Sequence, residues 1–156
     1  AGLMFFGEGP GRDEDLQGRP FVGRAGELLD KMIAAIGLSR QQVYITNVVK
    51  CRPPDNRTPT PQESQTCLRY LKRQIELVRP KVIVTLGATP LRELAGVSTG
   101  ITRTRGQWKQ LPMLGGIPVM PTFHPAYVLR QYTQDVRRAV WEDLRLAKGW
   151  LDEHPD

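Results

Sequence analysis

Glu8, Asn47 and His124 each stand where a short apolar run gives way to a loop, the place at which a buried strand ends. A carboxylate there, facing a cleft, suits a general base or a group that positions water. The amide of Asn47 sets a donor beside an acceptor and can read the edge of a base with two hydrogen bonds. The same residue type also serves in turns and caps. His124 precedes Pro125, and proline favours the first helical position, so His124 is read as an N-cap. The helix dipole disfavours imidazolium at that end and leaves a neutral ring, which donates to an oxygen that becomes negative. If the three strand ends are neighbours, the result is a polar cleft.

The surrounding residues carry weaker signals. Gly7-Glu8-Gly9-Pro10-Gly11 follows the first apolar run, but it matches neither the G-x-G-x-x-G dinucleotide fingerprint nor a Walker loop. Pro10 also removes a backbone donor that a phosphate cradle would use. Phe21 lies in a loop of small and basic residues, Gly18-Arg19-Pro20-Phe21-Val22-Gly23-Arg24. There it either anchors the loop to the core or offers a stacking platform for a planar base. Cys51 and Cys67 belong to no C-x-x-C pair; buried free thiols are the ordinary reading, and a metal site is the alternative.

The elements that must position these groups alternate between strand and helix. Residues 3–6, 43–49, 81–87 and 117–123 read as strands, the third almost wholly apolar and so buried on both faces. Leu28, Leu29, Met32, Ile33 and Ile36 recur at helical spacing before Gly37. Pro61 and Glu63 open a long helix with Cys67, Leu68, Leu71, Ile75 and Val78 on one face. A short helix over 90–94 precedes a polar loop through 102–106. A last amphipathic helix carries Val136, Val140, Trp141, Leu144 and Leu151. This alternation predicts an α/β fold, a three-layer α/β/α sandwich around a mostly parallel four-stranded sheet. Ligands in such folds lie beyond the carboxyl ends of the strands, here near 7–15, 47–57, 87–89 and 124–130.

The 156 residues fit a single domain over 1–156. The chain enters a buried strand at Leu3, which predicts a missing N-terminal segment. No apolar stretch is long enough for a transmembrane helix, and the start lacks the basic region of a secretory signal. Two cysteines make no disulfide framework, so a reducing, cytoplasmic setting without membrane attachment is expected. Twenty-two basic against 16 acidic residues give +6, which suits a polyanionic partner such as nucleic acid.

Four motifs stand in order along the chain: Gly7-Glu8-Gly9-Pro10-Gly11, then Pro20-Phe21-Val22-Gly23-Arg24-Ala25-Gly26, then Thr46-Asn47-Val48-Val49-Lys50-Cys51-Arg52-Pro53-Pro54, then His124-Pro125-Ala126-Tyr127. Together they resemble the family 4 (type a) uracil-DNA glycosylases, a bacterial and archaeal group of the uracil-DNA glycosylase superfamily. The resemblance implies a monofunctional enzyme that removes uracil from single- or double-stranded DNA and acts as a monomer. It assigns Glu8 to the attacking water, with Glu14 as a second carboxylate near the pocket. Gly9 and Pro10 would touch the base, Phe21 would stack on it, and Asn47 would read its O4/N3 edge. His124 would donate to O2 as uracil leaves.

The same resemblance makes residues 127–130, from Tyr127 to Arg130, a wedge that enters the duplex. Lys50, Arg52, Arg57, Arg69, Lys72 and Arg73, with Arg103 and Arg105, would neutralise phosphates. Family members hold a 4Fe–4S cluster on four cysteines. Cys51 and Cys67 match two of them, their sulfurs expected within about 7 Å of each other, and the first pair is missing. Residues 101–106 lack the histidine of a related class that binds uracil covalently. The rival from another class is a nucleic-acid or nucleotide-binding module that kept the fold and lost catalysis.

Overall fold

A computed structural model of the protein describes residues 2–7, 23–47, 61–95, 100–111 and 116–154. Within them β1 (Leu3–Gly7), β2 (Tyr44–Asn47), β3 (Val82–Leu86), β4 (Lys109–Leu111) and β5 (Ile117–Thr122) form one sheet in the order β2-β1-β3-β5-β4. The first three and β5 run parallel, whereas β4 lies antiparallel along the outer side of β5. The sheet expected from sequence is therefore present with a fifth strand added. Lys109–Leu111 reads Lys-Gln-Leu, too short to display any period.

Helices α1 (Arg24–Ala35), α2 (Pro61–Val78), α3 (Ala88–Ala95), α4 (Ile101–Thr104), α5 (Pro125–Arg130) and α6 (Gln134–Glu153) complete the layers, with a 3-10 turn at Arg40–Gln42. The single turn of α4 occupies part of the stretch expected as a polar loop. Among the described residues no helix is long and apolar enough to cross a membrane.

Because strand side chains alternate between faces, the sheet supports two cores. Leu3, Phe5, Val82, Val84, Leu86 and Met120 share one with Leu29 and Ile33 of α1 and Val140, Leu144 and Ala147 of α6. Met4, Phe6, Ile83 and Val119 face Ile75 of α2 and Leu91 of α3. Each fully buried aliphatic or aromatic side chain contributes about 1.5–3 kcal/mol, so β1, buried along its whole length, anchors both layers. The edge strand β2 is tied down separately: Gln74 Nε2 donates to Tyr44 Oη at 2.9 Å.

Two prolines interrupt β5 without breaking it. Pro118 lies before the first pair with β3, Ile83↔Val119. The carbonyl of Pro121 accepts from the Gly106 N–H at 2.9 Å, so it points away from β3. Its missing N–H lies on that same side and is not asked of the β3 ladder. From β1 the chain passes to β2 on one side, while β3 lies on the other. The strand order therefore reverses at the carboxyl ends of β1 and β3, the position at which open α/β sheets bind their ligands.

Candidate active site

His124 follows β5 and caps α5 as its sequence predicts. Its side chain accepts from the Ala126 N–H, Nδ1 to N 3.0 Å, with Pro125 at the first helical position. The carbonyl of His124 accepts from Tyr127 and Val128 at 2.9 and 3.2 Å. With Nδ1 acting as acceptor, the neutral ring carries its proton on Nε2. Burial, assisted by the positive charge of Arg130, pushes the imidazole from 6.5 down to about 4. The residue is therefore a neutral donor at physiological pH, held in one tautomer by the backbone of its own helix.

Gly87, directly after β3, packs against this residue. Its φ is +88°, and a Cβ there would come within 3.3 Å of His124 Cβ. Its N–H donates to the Thr122 carbonyl at 2.9 Å. Glycine satisfies both demands, a left-handed backbone and a close approach.

Asn47 is the last residue of β2, and its backbone is paired in register with Gly7, the last residue of β1. The backbone of the Asn47 position thus lies beside the strand end from which the Gly-Glu-Gly-Pro-Gly stretch departs. Glu8, Gly9, Pro10, Glu14, Phe21, Arg57 and Cys51 lie outside the described residues. Cys67 is on α2.

Three expected DNA contacts sit in different settings. Arg130 is exposed at the end of α5. The ring of Tyr127 is stacked on Phe123, centroids 4.8 Å apart at 29°, and packs against the core beneath. A wedge built on Tyr127 would have to give up that stack. Arg105 is engaged within the protein. Its Nε donates to Asp143 Oδ2 at 3.0 Å and its Nη2 to Oδ1 at 2.5 Å. Asp143 is fully buried, and its hydrogen bond holds the guanidinium above its ordinary pKa despite partial burial. A cation held in this way by a buried carboxylate has an internal partner and is only partly exposed.

Sequence reading also missed Asp143 itself. Val140, Asp143, Leu144 and Ala147 make up the buried side of α6. A carboxylate at that spacing was the available signal. Trp141, expected on the same face, is 42% exposed, because it lies about 100° further round the helix.

Among the described residues no group of three or more His, Cys, Asp or Glu side chains could hold a metal ion. A 4Fe–4S cluster takes four thiolates, and this chain has two cysteines. The donor set present does not complete one.

The geometry can be set beside known proteins. A family model described as the uracil DNA glycosylase superfamily matches residues 1–145. A type-4 uracil-DNA glycosylase of Thermotoga maritima is 51% identical over 150 residues, covering 96% of this chain and 77% of that protein. One from Archaeoglobus fulgidus is 47% identical over 150 residues, with 93% and 74% covered. A type-5 uracil-DNA glycosylase of Thermus thermophilus is 31% identical, covering 88% of this chain and 68% of its own length. With the parallel sheet, the histidine cap at the end of β5 and these matches in agreement, the chain belongs to the uracil-DNA glycosylase superfamily, and within it to the type-4 family.

Proposed function

We propose that this chain is a monofunctional uracil-DNA glycosylase, which hydrolyses the N-glycosidic bond of uracil in DNA and leaves an abasic site. The observation that carries the mechanism is the neutral His124 ring with Nδ1 bonded to its own helix. Breaking the bond builds positive charge on the sugar and negative charge on the departing base. A fixed Nε2–H aimed at uracil O2 stabilises charge that grows only in the transition state, and such a donor contributes about 2.7–4 kcal/mol. Glu8 places the attacking water and favours the cationic sugar, with Glu14 as a second carboxylate nearby. Asn47 reads the O4/N3 edge, Phe21 stacks on the base, and Gly9 and Pro10 approach it through their backbone.

The base must leave the stack first, at a cost of a few kcal/mol. Arg57 and Arg130 offset part of that cost by neutralising phosphates. Arg105 is left out of this set because Asp143 holds it. Single- and double-stranded DNA are both substrates for a monomer formed from one domain. Cys51 and Cys67 would supply two of a cluster's four thiolates, a clamp on the loop between them with no part in the hydrolysis. Two cysteines, too few for a disulfide framework, and the DNA substrate support a cytoplasmic placement.

An oligonucleotide with a single uracil tests the assignment. Wild-type protein releases free uracil, and His124→Ala slows single-turnover release by about 10²-fold or more with an unchanged fold. A variant within about threefold of wild type would remove His124 from the mechanism. Binding without release by the wild type would leave only the binding module on the same fold.

A further inference from the structure

We propose that Thr122, Asp143 and Arg105 form a positioning device for His124, built at the carboxyl end of β5. This rests on the role given to His124 above. Asp143 is fully buried, and three hydrogen bonds converge on it. Two come from Arg105, and the third from the Thr122 hydroxyl at 2.6 Å. Arg105 Nη2 also donates to the Ala139 carbonyl at 3.4 Å, so the pair fastens the turn after α4 to α6. Gly106, at φ +76°, is shaped to the same carboxylate: a Cβ there would stand 2.8 Å from Asp143 Oδ1.

The network ends two residues short of His124. Through its hydroxyl Thr122 is held to α6. Through its carbonyl it receives the N–H of Gly87, the residue whose missing Cβ makes room for the His124 side chain. A buried carboxylate costs several kcal/mol of desolvation, and hydrophobic replacements of buried ion pairs are often at least as stable. Stability alone is therefore a weak reason for the network. Fixing the strand end from which the histidine projects is a specific one, since a displacement of about 1 Å at a reacting group costs roughly 10²-fold in rate.

The test is a set of variants read on excision, binding and the imidazole itself. Thr122→Val should slow single-turnover excision by about tenfold or more while DNA affinity stays unchanged, and Thr122→Ser should restore the rate. In a His124→Ala background Thr122→Val should add no further loss, because the two act as one unit. Should Thr122→Val fail to fold, the isosteric Asp143→Asn takes its place in every arm. Arg105→Gln should leave the salt dependence of binding unchanged, whereas a slope reduced by about one would mark a phosphate contact. Nitrogen-15 spectra of the imidazole without DNA should show the Nδ1 signal of His124 moved or broadened in Thr122→Val. The proposal is overturned by a wild-type rate in Thr122→Val, by an additive loss in the His124→Ala background, by a lowered salt slope in Arg105→Gln, or by an unchanged imidazole spectrum. Failure of the wild type to release uracil would instead defeat the glycosylase assignment, and the spectrum would still decide whether the network positions the ring.

Discussion

Two fully buried threonines, one on each face of the sheet, differ in whether their hydroxyls are satisfied. On the α6 side, Thr122 and Asp143 are both fully buried, and each has a partner. On the α2–α3 side, Thr85 of β3 is equally buried, yet its hydroxyl has no hydrogen-bond partner among the described residues. An unsatisfied buried hydroxyl costs about 1–3 kcal/mol, whereas a satisfied one is a small net gain. The satisfied hydroxyl is the one that stands two residues before His124. A buried polar group teaches something about function when several others have been arranged to meet it.

The strongest way to break this contrast is to remove the carboxylate. Asp143→Ala leaves Arg105 without its partner and Thr122 without its acceptor, and should lower unfolding free energy by about 3–5 kcal/mol in urea titrations. A loss below about 1 kcal/mol would show that water replaces the carboxylate easily and that the two threonines are alike. Next is Gly87→Ala, which forces a side chain into φ +88° and against His124 Cβ. It should cost about 1–2 kcal/mol from backbone strain alone and slow uracil release. Normal stability with a normal rate would mean that the corner yields freely.

The pH dependence sharpens the comparison at the histidine itself. With its folded pKa lowered to about 4 from 6.5, the ring binds a proton in the unfolded chain but not in the folded one between those values. Its contribution to stability is therefore complete above pH 6.5 and is lost as pH falls toward 4. Melting temperatures of wild type should fall relative to His124→Gln across that window, and parallel curves would contradict a buried neutral ring. The smallest effect belongs to the other face. Thr85→Val keeps the shape, removes the lone hydroxyl and should raise stability by about 1 kcal/mol. A destabilised variant would reveal a partner for that hydroxyl and erase the asymmetry.

Much of the scaffold was legible because burial writes a period into the sequence. Residues 81–87 announced β3 as an unbroken apolar run, and residues 28–37 announced α1 by spacing and a terminal glycine. The His124 cap was legible from two letters, since His-Pro constrains both the cap and the first helical residue. Elements that draw their order from tertiary contacts were not. Lys109–Leu111 is a strand because β5 offers it an edge. The α4 turn lies in a stretch whose residues have no apolar face of their own. The partner of Arg105 was hidden for a related reason. A basic residue in a polar loop looks like surface until the carboxylate it meets, 38 positions along the chain, is known. Charge in a sequence has a sign but no direction.

The strand order also bears on how the molecule comes into being. Leu3 finds its neighbour at Val82, Ile83 at Val119, and Thr122 meets its acceptor on α6. Pairings between such distant positions fold slowly, because long loops must close before any contact rewards them. During synthesis β1 and α1 emerge well before their partners, and the brace on β5 cannot form until α6 has left the ribosome. The histidine corner is then among the last parts to become rigid. A nascent chain that has β5 but not α6 presents Thr122 without its acceptor and one core without Val140, Leu144 and Ala147.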